Sequence, residues 1–437
     1  MANDIPNAIE KALALNLDQL KYGTIIEIGA GQEVARWFFQ AGAAAGTVAK
    51  TMSAYDMNFS DAIYGTSSDR RYVTRSRLEQ MLAQEYDLVI SRIKKRRPDK
   101  STFFSFANTV AAQSYEKRED CHGWMGVRLQ SAPEMPPDNI LFHVRMLDDT
   151  NVEQQDALGI LGVNLIYGAY YYADEPERLM RSLLDNLKWG RVEIDFVEFS
   201  GPKFGAVDNR LMALELVKAS LTPAILFGPD CKVVIPSEAL YKKSVIGIRG
   251  NFNPVRKVDM ARLNHAKDSF LAQPEVQPGS VIALAEITMS ELVNEGEIDT
   301  SDFLSRIDQL SQLGCYVLIS EFFRYFRVRQ YLAMHSKEPV AIVTDANGFR
   351  EIVREEYYDS LDGDILEGLG KLFPPATTAY VFPTCEEACV QTLDSIPLES
   401  ELRPLVEFLR GRGLVVPADD FDALAHDEDT PLFVASA

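Results

Sequence analysis

Short apolar segments of strand length alternate with amphipathic helical segments along most of this chain, and that alternation confines it to the α/β class. The first junction is the sharpest. Residues 25–37, IIEIGAGQEVARW, pass from a strand through Gly29, Ala30 and Gly31 into a helix, a turn whose main-chain N–H groups can approach a phosphate or a sugar. The third glycine of the dinucleotide fingerprint is missing, with Val34 in its place, so the turn points to a nucleotide-like ligand without naming a reaction. Glu27 ends the strand where it can meet a ligand hydroxyl, and Ser53, Tyr55, Asp56 and Asp61 offer oxygens in the next loop. The same glycines and acids also read as a tight structural turn with helix caps.

A strand over 24–28, a helix over 33–40 and a strand over 47–50 begin a βαβ unit, continued by a helix over 78–95 and a strand at 102–107. Strands at 125–129 and 140–146 flank the turn formed by Pro133, Pro136 and Pro137, which makes them an antiparallel pair. A long, mostly apolar stretch over 151–172 carries Gly159, Gly162 and Gly168, which imply close element packing if it is helical. Strands at 191–199, 224–227, 280–288, 316–320, 340–344 and 378–382 then alternate with helices, and 245–254 passes from a strand into a turn. The expected fold is multidomain α/β, with Rossmann-like parallel sheet units and an antiparallel insertion. Its expected segments are 1–120, 121–190, 191–300, 301–415 and an acidic, solvated tail over 416–437.

Composition limits the partners. With 44 Lys and Arg against 64 Asp and Glu, the formal charge of -20 repels nucleic acid, and the run Lys94 to Arg97 reads as the solvated end of a helix. The start of the chain lacks the pattern of a secretory leader and no apolar run is long enough to span a bilayer, so no membrane partner and a cytoplasmic location are expected. Five scattered cysteines fit a reducing compartment, and no ligand set for a metal emerges.

Other features carry two readings each. The loop 200–205, SGPKFG, with Asp208, Asn209 and Arg210 after it, is either a ligand crevice at a strand end or an ordinary connection with a helix cap. His143 lies inside an apolar strand and reads as packed or hydrogen-bonded. His122 follows Cys121, and that adjacency alone establishes no catalytic pair. The segment 322–329, FFRYFRVR, either stacks a base or turns an aromatic face inward with its arginines outward.

Six segments together resemble, over nearly the whole chain, a bacterial family labelled nicotinate-nucleotide adenylyltransferase. They are IEIGAGQEVARWFF, AAAGTVAKTMSAYDMNFSDAIYG, LGVNLIYGAYY, FSGPKFGAVDNRLM, ALYKKSVIGIRGNFNPVRKVDM and FFRYFRVRQYL. The family's Gly-x-Phe-x-Pro turn matches Gly250 to Pro254, while Arg256, Lys257, Val258 and Asp259 stand where its histidine pair belongs. The resemblance implies ATP and Mg2+ as cofactors, and Gly250, Arg256 and Lys257, with Arg249 before them, become the residues expected at phosphate. The chain is therefore read as a binder of a nucleotide or phosphorylated small molecule, its reaction unnamed. Adenylyl transfer from ATP is one alternative, and a homo-oligomeric structural or interaction role, through aromatic helices and glycine-bearing apolar stretches, is another.

Overall fold

The computed structural model describes residues 5–66, 71–113, 121–294, 296–386, 389–423 and 430–433. The chain divides into two compact units, 1–222 and 223–437. The α/β class holds in both.

Unit 1 comprises α1 (Ala8–Leu17), β1 (Lys21–Ile28), α2 (Glu33–Ala41), β2 (Val48–Met52), α3 (Met57–Tyr64), α4 (Arg75–Ile93), β3 (Thr102–Ala111), β4 (His122–Leu129), β5 (Asp138–Met146), α5 (Asn151–Tyr171), α6 (Pro176–Ser182), β6 (Val192–Ser200) and α7 (Asn209–Lys218). Its sheet has the order β2-β1-β3-β4-β5-β6. The β2, β1 and β3 strands are parallel, and β4, β5 and β6 extend the sheet in antiparallel fashion. The antiparallel part forms because β4 and β5 are joined by a turn too short for a crossover helix. Helix α1, absent from the sequence reading, is announced by a capping box in which Asn7 and Glu10 satisfy each other's main-chain N–H groups. The glycines of α5 do allow close packing: a Cβ on Gly162 would lie 2.3 Å from Val34 Cγ2, and one on Gly159 would lie 2.8 Å from Glu33 Cβ.

Unit 2 comprises β7 (Ala224–Phe227), β8 (Val233–Val234), α8 (Pro236–Ala239), β9 (Ser244–Arg249), α9 (Lys257–Leu271), β10 (Val281–Thr288), α10 (Met289–Leu292), β11 (Val293–Asn294), β12 (Glu297–Ile298), α11 (Thr300–Gln312), β13 (Tyr316–Ser320), α12 (Tyr325–His335), β14 (Val340–Asp345), α13 (Ala346–Ile352), α14 (Asp364–Leu372), β15 (Thr377–Phe382), β16 (Thr384–Glu386), β17 (Cys389–Gln391), α15 (Arg403–Gly411) and β18 (Val415–Pro417). Its large sheet has the order β18-β15-β14-β9-β10-β13-β7-β8. The run from β18 to β13 is parallel, and β7 and β8 close one edge in antiparallel fashion. The inner strands are buried on both faces, which is why they read as continuous apolar runs and not as alternating ones.

The acidic C-terminal stretch is tied down at its described parts. Phe421 is buried against Phe382 and His265, although Asp419, Asp420 and Asp422 are exposed. Further on, Leu432 N–H donates to the Val255 carbonyl at 2.8 Å and Lys257 N–H to the Thr430 carbonyl at 3.0 Å. Residues 424–429 of the expected tail lie outside the described residues. No helix among the described residues is long and apolar enough to cross a membrane.

Candidate functional site

In an open α/β sheet, ligands settle outside the carboxyl ends of the parallel strands, where the strand order reverses. Each unit has one such point. In unit 1 it falls between β1 and β3, since the chain visits the β2 edge before returning to the other side of β1. In unit 2 it falls between β9 and β14, because β10 and β13 are laid down on one side of β9 before the chain crosses to the other.

The unit 1 point is filled by the chain itself. Gly29 has φ of +103°, and a Cβ there would stand 1.9 Å from the Val110 carbonyl oxygen, so the end of β1 lies directly against β3. Glu27, read from the sequence as facing a ligand hydroxyl, is buried instead. Its carboxylate accepts the N–H groups of Val34 at 3.0 Å and Ala35 at 2.9 Å, the first-turn donors of α2. Burial pushes the Glu27 carboxyl up to about 7 against those stabilising bonds. Gly31 N–H donates to Tyr55 Oη at 2.7 Å, and Asp56 caps α3 by accepting from Phe59 N–H at 2.8 Å. Tyr55 and Asp56 therefore bond within the protein, while the Ser53 hydroxyl is buried with no hydrogen-bond partner among the described residues. Asp61, read from the sequence as a loop residue, lies in α3 and pairs with the buried Arg77 at 2.6 Å.

The unit 2 point is built differently. Arg249 at the end of β9 lies in a two-bonded pair with Glu286 of β10, both at 2.9 Å, and also donates to the carbonyls of Phe322 and Phe323. Ser320 of β13 donates to the same Glu286 carboxylate, and the Tyr325 ring covers the guanidinium with its centroid at 4.2 Å. Arg249, expected at phosphate, is thus taken up by bonds within the protein.

After Arg249 runs the segment Gly250 to Arg256. Phe252 sits at φ of +50° with its ring buried beneath Gly250, a left-handed conformation that costs about 1–3 kcal/mol for a bulky residue and must be imposed by its surroundings. Arg306 of α11 supplies part of that constraint, donating to the Asn251 carbonyl at 2.8 Å and the Glu291 carbonyl at 3.0 Å while it pairs with Asp302. Between these walls opens a cleft of about 380 Å³ lined by Asn251, Asn253, Pro254, Arg256 and Glu291. Arg256 is aligned at the cleft by Asp259, whose carboxylate takes its Nε at 3.0 Å and Nη2 at 2.7 Å. Lys257, the next residue, opens α9 and is exposed. The helix is fixed beside β14 by Arg262, which reaches Asp345 at 3.3 Å and the Pro383 carbonyl at 3.2 Å.

Other sequence readings resolve as follows. The loop 200–205 follows a strand that runs against β5, so it lies at the opposite sheet edge from the β1 and β3 carboxyl ends. It is a connection: Asp208 caps α7 through Arg210 N–H at 2.9 Å, and Asp138 receives the Lys203 N–H at 2.8 Å. In the aromatic segment, Phe326 and Val328 face inward, but Arg329 is not outward. It is buried and donates to Thr377 at 2.8 Å. Glu286, Glu291, Arg306 and Asp302 escaped the sequence reading because they come from separate strands and helices that only the sheet order brings to Gly250.

No family model matches the chain, and no curated protein matches it. Solved structures do. A competence-damaged protein (CinA) superfamily protein from Enterobacter cloacae is 13% identical, with 39% of this chain and 95% of that one covered at a TM-score of 0.30. The competence/damage inducible protein CihA from Agrobacterium tumefaciens is 13% identical, with 38% and 97% covered at 0.27. A competence or damage-inducible protein from Enterobacter asburiae is 12% identical, with 38% and 99% covered at 0.29. The nicotinate-nucleotide adenylyltransferase membership expected from the sequence is overturned: no family model and no curated protein matches, and these three structures carry other names.

Proposed function

We propose that unit 2 binds a nucleotide or another phosphorylated small molecule in the cleft over Gly250 to Arg256. One observation carries this reading: the cleft opens past the carboxyl ends of β9 and β10, beside the start of α9, with Arg256 in its lining and the exposed Lys257 next in sequence. A phosphate there meets a guanidinium already oriented by Asp259 and the positive end of a helix of 15 residues. Unit 1 is the weaker candidate, since the Glu27 carboxylate already takes the α2 N–H groups that a phosphate needs. ATP is the natural first probe, with Mg2+ present because Glu291 and the side-chain carbonyls of Asn251 and Asn253 are the hard oxygen donors that ion prefers.

Calorimetric titration of the full chain with ATP, with and without Mg2+, and with pyrophosphate tests the reading. Saturable binding is expected, weakened about tenfold or more by Arg256→Ala and again by Lys257→Ala, because each removes a charge-assisted contact worth about 1.5–3 kcal/mol. Absence of binding by all these probes at millimolar concentration would end the proposal.

A further inference from the structure

Beneath α12, unit 2 holds a small cavity that nothing above uses. Val245 of β9 packs in one apolar cluster with Val328, Tyr331 and Leu332 of α12, and Arg249 at the end of the same strand lies under the Tyr325 ring. Strand alternation puts Gly247 midway between them, on the face that α12 covers. It brings no side chain there. A Cβ on Gly247 would meet nothing closer than two main-chain oxygens at 3.9 Å, and a cavity of about 30 Å³ lies between the sheet and the helix. Such a volume takes one or two water-sized groups and no tetrahedral oxyanion.

Arg329 of α12 is in the lining of that cavity and only 7% exposed, with its Nε donating to Thr377 Oγ1 at 2.8 Å. Among the described residues its Nη1 is buried without a hydrogen-bond partner, and no carboxylate pairs with it. A guanidinium cannot shed its proton to escape burial, so this one calls for a counter-ion. The Arg249–Glu286 pair, also in the lining, does not supply it. The Glu286 carboxylate already receives two bonds from Arg249 and one from Ser320, which leaves the lining with one positive charge in excess. A water on Nη1 would need acceptors for its own hydrogens, and apart from that pair and Tyr325 the lining is apolar. A monatomic anion needs none.

We propose that this cavity binds a compact monovalent anion of the chloride class, held by Arg329 and seated over Gly247, and that the bound ion pins α12 to the sheet. Size selects the ion and Arg329 supplies the attraction. The site is separate from the cleft at Gly250 to Arg256 and rests on none of the nucleotide reading.

Hydrogen–deuterium exchange of the full chain, in sodium chloride and in sodium gluconate of equal ionic strength, reads α12 directly. Relative to gluconate, chloride is expected to slow exchange over α12 saturably, about tenfold once it reaches ten times its Kd. Two variants locate the effect. Gly247→Ala places a methyl in the cavity without a clash, and Arg329→Met removes the cation while keeping most of the side chain's length. Both are expected to abolish the difference between chloride and gluconate, and if Arg329→Met does not fold, Gly247→Ala decides alone. No difference between the two salts in the wild type, or the same difference in Gly247→Ala or in a folded Arg329→Met, overturns the proposal.

Discussion

Glu27 shows how one side chain decides between two readings of a motif. A strand, a glycine turn and a helix start look alike in sequence whether the helix N–H groups await a ligand or already have a partner, and here the partner lies seven residues before Val34. Its protonation leaves a measurable mark. The folded-state value of about 7 stands above the ordinary 4.5, so between these pH values the native protein holds more proton than the unfolded chain. That contribution is complete below pH 4.5 and is lost as pH rises through 7. Urea denaturation of the protein and of Glu27→Gln across that window should give a stability difference that shifts against the wild type by up to about 3 kcal/mol with rising pH. A difference independent of pH would refute the assignment. His143 teaches the complementary lesson: its packed, hydrogen-bonded state was legible from an apolar strand, whereas its partners were not, because they depend on a register set across three strands.

At the scale of elements, most strands and helices were legible because their apolar periodicity and their glycine and proline boundaries agree. Ile140 to Met146 and Val340 to Asp345, for example, fall in strands close to where their pattern places them. What the pattern missed were elements made by capping or by pairing with distant chain. Helix α1 needs Asn7 and Glu10 more than an apolar stripe, and the pairing of 430–433 with 255–257 joins residues that no local signal connects. This last contact braces the loop of the proposed ligand cleft. Leu432→Pro removes the N–H that bonds Val255 and should cost about 1 kcal/mol in urea denaturation while weakening pyrophosphate binding. If both stay unchanged, the end of the chain is not a structural part of that loop.

For the molecule as a whole, the α/β class followed from composition and alternation, and the site did not. The two units each contain a parallel switch point, and the sequence gives both a glycine turn, at Gly29 to Gly31 and at Gly250. Only the three-dimensional arrangement distinguishes the two turns: the first is closed by Glu27 and Val110, and past the second a cleft opens between Asn251, Arg256 and Glu291. Family resemblance built from short segments could not supply that distinction. Hydrogen–deuterium exchange of the full chain with and without saturating ATP and Mg2+ compares the two directly. The account predicts slowed exchange over residues 249–260 and no change over 27–35, whereas protection confined to 27–35, or found in neither, would contradict it.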